Sequence, residues 1–314
     1  MRRMVPIGAP QAGGAMASLT ARTLARVLWL SGRRRFFASA DLDPERIVAE
    51  RGGEARPTRA MRRRLDVTWT MREGCEIYTL APRGRPSGAT VLYLHGGAYI
   101  HPTSVHHWRF IARMAERSGV RFVVPFYPLA PGYDGEAVRR FVLGLYRDLL
   151  ERHGPSALFV MGDSAGGGLA LSLAMQAAAE GLPRGAGLVL LSPWLDVSVS
   201  DPAQAEIERD DVMLMRPGIR TAGRWYAGRL PPTDPRVSPL FGDLAGLPPI
   251  LMLCGTHDIL VADARRLAER ARREGVPLAY EEAPGLMHVY AILPLPEGRA
   301  AQARIARFLQ EPAA

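Results

Sequence analysis

Short apolar stretches alternate with helix-length segments along the chain from residue 65 onward. Residues 65–71 alternate apolar and polar side chains with a period of two, and residues 75–80 can pair with them as a hairpin. Uninterrupted apolar runs and one further strand follow at 91–94, 122–124, 158–161, 188–191, 250–253 and 278–282. Runs of this kind are typical of parallel strands that helices cover on both faces.

The segments between these runs have the length of helices. They lie at 104–118, 134–152, 165–180, 260–274 and 298–310. Because strand and helix alternate, the pattern predicts an α/β fold built on a doubly wound, mostly parallel sheet.

Two stretches break this alternation. Residues 20–60 and 196–230 have the pattern of short amphipathic helices, and an excursion between two strands normally forms a lid over their carboxyl ends. We therefore expect a helical cap made of both stretches, over a catalytic domain of residues 61–195 and 231–314. Residues 1–19 contain several glycines and prolines and are expected to be a disordered extension.

Composition excludes several classes of function. All 40 basic residues are arginine, so a Walker-type phosphate loop, a pyridoxal Schiff base and a lysine nucleophile are excluded. The formal net charge is +9, but residues 1–85 hold 17 arginines against 8 acidic side chains, and the remainder has 23 of each. We therefore expect no nucleic-acid partner and interpret the basic segment as solvated surface. Contact with an anionic lipid or substrate is the lesser alternative.

Cysteine content and hydropathy bear on the compartment. Two cysteines, Cys75 and Cys254, cannot form a disulfide framework, and no segment approaches the roughly 20 apolar residues of a membrane span. We expect a cytoplasmic protein without integral membrane association, and a homodimer stays open.

A serine stands between small residues at the end of a predicted strand. Gly162-Asp163-Ser164-Ala165-Gly166 follows residues 158–161 and opens a helix rich in Ala and Leu. Gly-x-Ser-x-Gly between a strand and a helix holds the serine on a sharp turn that projects its hydroxyl into a cleft. The Ala165 amide lies at the helix N-terminus, where unpaired donors and the helix dipole favour a developing oxyanion. Ser164 is therefore a candidate nucleophile.

A second group of small residues ends the strand at 91–94. His95-Gly96-Gly97-Ala98 follows it, and the glycine pair lets backbone amides turn toward an oxygen held beside Ser164. Alone, this pattern would indicate only a tight turn. Together with Ser164 it predicts a second part of an oxyanion site.

A base and an orienting acid must accompany a serine nucleophile. Asp258 follows the strand at 250–253, and His288 follows the strand at 278–282. The chain order Ser, Asp, His is that of the α/β-hydrolases and differs from the orders of the two main serine peptidase types.

These motifs together resemble the hormone-sensitive-lipase-like branch of the α/β-hydrolases, and most closely its bacterial short-chain esterases and lactone hydrolases. The resemblance covers about residues 60–312 and includes Asp234-Pro235-Arg236-Val237-Ser238-Pro239-Leu240. It implies an eight-stranded sheet with a helical cap, no metal or organic cofactor, and a small-molecule ester as the substrate. It also implies the following roles: nucleophile Ser164, base His288, its partner Asp258, an oxyanion hole of the Gly97, Ala98 and Ala165 amides, and supporting residues His95 and Gly96. Asp263 matches a structural acid of that family rather than a catalytic one.

Three other groups of residues are interpreted as structural or as pocket lining. His101, His106, His107 and Trp108 lack a carboxylate at ligand spacing, so we interpret them as a rim helix rather than a metal site. Asp210-Asp211 is interpreted as a turn of the cap. Six aromatic residues are candidates to line an acyl pocket, and about half of them are expected to belong to the core instead: Trp29, Phe36, Phe37, Trp194, Trp225 and Tyr226.

The expected function is that of a serine carboxylesterase, which hydrolyses short-acyl, water-soluble esters through an acyl-enzyme. Two alternatives stay open: a lactone hydrolase that uses the same triad, and a non-catalytic ligand-binding member of the fold. The presence of His288 argues against the second.

Overall fold

Eight strands form one sheet in the computed structural model, which describes residues 17–84 and 86–310. The strands are β1 (Leu65–Arg72), β2 (Cys75–Pro82), β3 (Thr90–Leu94), β4 (Arg121–Pro125), β5 (Leu158–Asp163), β6 (Gly187–Leu191), β7 (Ile250–His257) and β8 (Leu278–Met287). Their spatial order is β1-β2-β4-β3-β5-β6-β7-β8. The predicted α/β fold with an eight-stranded, mostly parallel sheet is confirmed.

An antiparallel hairpin forms one edge of the sheet. β1 pairs with β2 so that Trp69 faces Tyr78, and the turn between them consists of Glu73 and Gly74 with φ of 51° and 79°. A type I′ hairpin turn needs positive φ at both positions, which glycine adopts at little cost. β2 is also antiparallel to β4, whereas the neighbouring strands from β4 to β8 are parallel. The carboxyl ends of these parallel strands therefore lie at one edge of the sheet.

Ten α-helices accompany the sheet within the described residues. They are α1 (Leu19–Leu30), α2 (Pro44–Glu50), α3 (Arg59–Arg64), α4 (Val105–Ser118), α5 (Gly135–His153), α6 (Ala165–Ala179), α7 (Gln204–Ile207), α8 (Arg216–Ala227), α9 (Val261–Glu274) and α10 (Pro296–Gln310). Short 3₁₀ turns occur at Arg33–Phe37, Pro155–Ala157, Pro239–Phe241 and Tyr290–Ile292. None of the helices in this part of the chain is both long and apolar enough to cross a bilayer.

Helices cover both faces of the sheet, as the apolar strands predict. Along β3, Leu92 and Leu94 belong to the core layer that includes α5, α6 and α9. Val91 and Tyr93 point to the opposite layer, which includes α4 and α10. Because successive strand residues face opposite sides, a strand buried on both faces has an almost unbroken run of apolar residues.

The two predicted cap segments contact each other. A Cβ on Gly218 of α8 would lie 2.6 Å from the Cα of Phe37, so this close approach needs glycine. The Thr221 hydroxyl also donates to the carbonyl of Ala40 at 2.6 Å.

The boundaries of the cap and catalytic domain stay predictions, and residues 1–16 lie outside the described part of the chain. Of the predicted extension, residues 17–19 belong to the described part, in which the Ser18 hydroxyl accepts from the Ala21 amide and caps α1.

Candidate active site

The serine of the Gly-x-Ser-x-Gly motif occupies a strained turn between β5 and α6. Ser164 has φ of 53°, a value uncommon for residues other than glycine. Its neighbours must be small, because a Cβ on Gly162 would lie 2.1 Å from the Gly166 carbonyl oxygen. A Cβ on Gly166 would lie 1.9 Å from the carbonyl oxygen of Leu94 on β3. The glycines thus allow helix, turn and neighbouring strand to pack against one another.

Ser164, His288 and Asp258 form one buried hydrogen-bonded chain. The Ser164 Oγ lies 3.0 Å from His288 Nε2, and His288 Nδ1 lies 2.9 Å from Asp258 Oδ2. A carboxylate only accepts hydrogen bonds, so Nδ1 carries the proton, and Nε2 of the neutral ring can accept from the serine hydroxyl. The structure therefore brings together three side chains that the sequence separates by up to 124 positions.

The charge of Asp258 sets the basicity of His288. Burial by itself lowers the pKa of His288, but the charge and hydrogen bond of Asp258, together with the charges of Asp211 and Asp163, more than offset this. The pKa of His288 therefore lies above its ordinary value of 6.5.

Two of the three candidate oxyanion amides belong to the loop after β3, where their peptide groups are held in place. In a planar trans peptide the N–H points opposite to the C=O. The Gly96 carbonyl accepts from His95 Nδ1 at 2.7 Å, which directs the Gly97 amide away from it. The Gly97 carbonyl accepts from the amides of Ile100 and His101 at 3.0 and 2.9 Å, which does the same for the Ala98 amide.

The third candidate amide, that of Ala165, is oriented in the same way. The carbonyl of Ser164 accepts from the amides of Gly167, Gly168 and Trp194 at 3.0, 3.2 and 2.9 Å. Within residues 17–84 and 86–310, the amides of Gly97, Ala98 and Ala165 donate to no protein acceptor. All three N–H groups are thus available to an external oxygen atom.

His95 supports this loop as a neutral ring. Its imidazole stacks on Tyr127 with centroids 4.3 Å apart, and burial lowers its pKa to about 4. Because a carbonyl can only accept, the proton that His95 shares with Gly96 is on Nδ1. The ring therefore holds the Gly96 carbonyl without bringing a charge to the site.

Asp163 ties the serine turn to the β3 loop. Its Oδ1 accepts from the Tyr93 hydroxyl at 2.5 Å and from the Gly96 amide at 3.0 Å. Its Oδ2 lies 3.3 Å from His107 Nε2. Burial raises the pKa of Asp163, but the interactions with His107 and Tyr93 outweigh it and the pKa is lowered.

Of the four residues interpreted as a rim helix, His106 is exposed and His101 is half-buried, whereas His107 and Trp108 are buried. The last two are buried because His107 reaches Asp163 and the Trp108 indole donates to the Ala55 carbonyl at 2.6 Å. The described residues contain no group of three or more His, Cys, Asp or Glu side chains that could hold a metal ion.

Asp211 is a site residue that the sequence reasoning missed by assigning it to a cap turn. It is fully buried, and its Oδ1 accepts from the amides of Met213 and Leu214 at 2.8 and 2.9 Å. Its Oδ2 accepts from the amide of Ile259, next to Asp258, at 2.9 Å. Burial, followed by the charge of Asp258, raises the pKa of Asp211 to about 6. The short-range turn could be read from Asp-x-x spacing, but the contact with residue 259 could not.

The remaining candidates divide between core and surface. Trp194 and Tyr226 are buried, and Tyr226 stacks on Tyr99 with centroids 3.5 Å apart. Trp29 is 59% exposed, so it lines no buried acyl pocket in this structure. Asp263 is buried and accepts a hydrogen bond from Arg266 at 2.9 Å, and it makes no hydrogen bond to the triad.

Comparisons with known proteins agree with this architecture. A family model described as the alpha/beta hydrolase fold matches residues 91–292. A triacylglycerol lipase of Mycobacterium tuberculosis is 36% identical over 228 residues, which cover 72% of this chain and 47% of that protein. An acetyl-hydrolase of Streptomyces hygroscopicus is 33% identical over 220 residues, which cover 69% of this chain and 74% of that protein. The match therefore spans about half of the lipase and three quarters of the acetyl-hydrolase.

A solved structure is similar over nearly the whole chain. It is that of a hormone-sensitive lipase from a metagenome library, with a TM-score of 0.81 and 26% sequence identity. The superposition covers 95% of this chain and 99% of that one.

Proposed function

The chain belongs to the hormone-sensitive-lipase-like family of α/β-hydrolases, and from this premise we propose that it is a serine carboxylesterase for short-acyl, water-soluble esters. The observation that carries the proposal is the buried hydrogen-bonded chain from Ser164 Oγ through His288 to Asp258, at 3.0 and 2.9 Å. A serine bonded to a base that is itself oriented by an acid is the arrangement that nucleophilic catalysis needs.

The reaction has two steps. His288 Nε2 takes the hydroxyl proton while Ser164 Oγ attacks the ester carbonyl carbon, and the alcohol then leaves with the proton from His288. The same imidazole next takes a proton from water, whose oxygen attacks the acyl-enzyme. The acid is released, and Ser164 regains its proton. Asp258 stabilises the imidazolium that forms in each step.

The amides of Gly97, Ala98 and Ala165 are proposed as the donors to the oxyanion of each tetrahedral intermediate. Their peptide carbonyls are already bonded elsewhere, so the donors need no reorganisation when charge develops on the substrate oxygen. Loss of one donor of this kind typically costs about 3 kcal/mol of transition-state stabilisation.

Burial of the triad supports small substrates. Ser164 is 8% exposed and His288 2% exposed, so only a slender acyl group reaches the hydroxyl without displacement of the surrounding segments. An ester with a short acyl chain fits this restriction better than a triacylglycerol. A cytoplasmic location and a homodimer stay predictions from the sequence.

The test combines covalent labelling with a substrate series. We expect stoichiometric phosphonylation of Ser164 by an organophosphonate, with loss of both labelling and activity in Ser164→Ala. The matched control is Ser87→Ala, which changes an exposed serine. We expect p-nitrophenyl acetate and butyrate to be hydrolysed with the highest kcat/KM and longer acyl chains progressively less well.

Three outcomes would contradict the proposal. Activity that persists in Ser164→Ala would refute the role of the serine. A protein that binds esters but forms no adduct would be a ligand-binding member of the fold. A kcat/KM for lactones well above that for every linear ester would establish the lactone hydrolase instead.

A further inference from the structure

The N-terminal helix α1 buries one side and exposes apolar residues on the other. Ala21 is buried, and Leu24, Ala25 and Leu28 pack on the core from the same side of the helix. The opposite side leaves four large apolar side chains in solvent: Leu19 (77% exposed), Val27 (56%), Trp29 (59%) and Leu30 (76%). A helix on a protein surface normally turns polar residues to water, so an apolar face of this kind indicates a binding surface.

The same helix carries arginines and no acidic residue. Residues 1–40 contain seven arginines and no Asp or Glu, the first acidic residue being Asp41. Arg22 and Arg26 are both exposed among the apolar residues of α1. Apolar side chains interleaved with cations are complementary to a surface that is anionic outside and apolar beneath.

We propose that this face docks on an anionic lipid surface. The α1 outer face, as we define it, consists of Leu19, Arg22, Arg26, Val27, Trp29 and Leu30. Its 12-residue helix is about 18 Å long and would lie in the plane of the interface, with the indole at the level of the headgroups. The arginines would contact lipid phosphates, each contributing about fivefold to the partition coefficient near an anionic surface.

Two other partners fit this face less well. In a two-fold symmetric dimer the same patch meets itself, so arginines would face arginines without an acidic residue from residues 17–40 to compensate them. A nucleic acid would bind the arginines through its phosphates but leave Leu19 and Leu30 in water. Of these three partners, only a lipid surface satisfies both the charge and the apolar area.

The docked surface would lie beside the candidate active site. Phe36, in the 3₁₀ turn that follows α1, is 38% exposed, and its ring centroid lies 4.9 Å from that of His101. The amide of His101 holds the carbonyl of Gly97 in the β3 loop. Docking through α1 would therefore bring the loop that carries two of the proposed oxyanion donors close to the lipid.

Vesicle co-sedimentation of the full chain tests the proposal independently of any esterase activity. The vesicles are pure phosphatidylcholine, or phosphatidylcholine with about 30% phosphatidylglycerol, at 0.1 M NaCl. One variant, Arg22→Gln/Arg26→Gln, removes two charges of the α1 outer face. The matched control, Arg272→Gln/Arg273→Gln, removes two exposed charges from α9. A third variant, Trp29→Ser/Leu30→Ser, removes apolar area, and circular dichroism verifies that each variant is folded.

We expect the unaltered protein to bind the anionic vesicles and to dissociate at high salt, because a Debye length of about 3 Å at 1 M screens the arginines. The partition coefficient should fall about 25-fold in Arg22→Gln/Arg26→Gln, two factors of five, and stay unchanged in the α9 control. Trp29→Ser/Leu30→Ser should also weaken binding. The proposal is overturned by absence of binding to anionic vesicles, by an equal loss in the α9 control, or by a dimer that Trp29→Ser/Leu30→Ser dissociates while vesicle binding persists.

Discussion

Replacement of Asp211 by asparagine tests how far the triad depends on the predicted cap. Asp211 accepts three backbone hydrogen bonds, two on Oδ1 and one on Oδ2. Asparagine has one accepting oxygen, so its NH2 group must face either the two amides of residues 213 and 214 or the amide of Ile259. The second arrangement loses fewer bonds. It places two donors against each other one residue from Asp258.

The expected loss of activity follows from the bond to Ile259. A hydrogen bond to a charged acceptor contributes about 1.5–3 kcal/mol. If this anchor holds the Asp258 loop in place for catalysis, its loss lowers kcat/KM roughly 10- to 100-fold, since 1.4 kcal/mol corresponds to a factor of ten. The stability should change less, because the variant also loses the repulsion between the carboxylates of Asp211 and Asp258, which helps to raise the pKa of Asp211 to about 6.

The pH dependence distinguishes a positioning role from a merely structural one. The charge of Asp211 contributes to the raised pKa of His288. In Asp211→Asn that pKa should fall, and the acidic limb of the kcat/KM profile should move to lower pH. The assay is hydrolysis of p-nitrophenyl acetate from pH 5 to 9, together with urea denaturation. Asp210→Asn is the control, since Asp210 is exposed in the same turn. A kcat/KM and acidic limb equal to those of the unaltered protein in folded Asp211→Asn would refute the reasoning.

Three further predictions concern the triad and the β3 loop. Because activity needs neutral His288 and its pKa is raised, kcat/KM should rise with pH through a midpoint above 6.5, and a midpoint below 6.5 would contradict this. Asp258→Asn should lower kcat on the order of 10⁴-fold by disfavouring the required tautomer; a loss under tenfold in steady-state assays would show that another group orients the imidazole. Gly96→Ala would place a Cβ 2.4 Å from Asp163 Oδ2, so we expect at least a 100-fold lower kcat. The control is Gly88→Ala, whose Cβ meets nothing within 4 Å. Equal activities of the two variants would contradict the need for a close approach at Gly96.

Local pattern was enough to predict the sheet and the turns that carry the triad. Strands such as β3 and β5 are buried at every position and largely apolar because helices cover both faces, and that pattern is visible within five or six residues. The turn at Ser164 is equally local, since its glycines are required by the close approach of adjacent elements. The positions of Asp258 and His288 followed from the rule that parallel strands end at one edge.

The tertiary structure alone decided which polar residues support these groups. Asp211 bonds to an amide 48 residues away, and His107 reaches Asp163 across 56 residues. Neither pairing follows a periodic pattern in the sequence, because each depends on how the predicted cap segments and α4 pack on the sheet. The exposure of Trp29 was likewise invisible in the sequence, where an apolar residue in a helix predicts burial. Periodicity reports the face of an element, whereas only packing determines what that face meets.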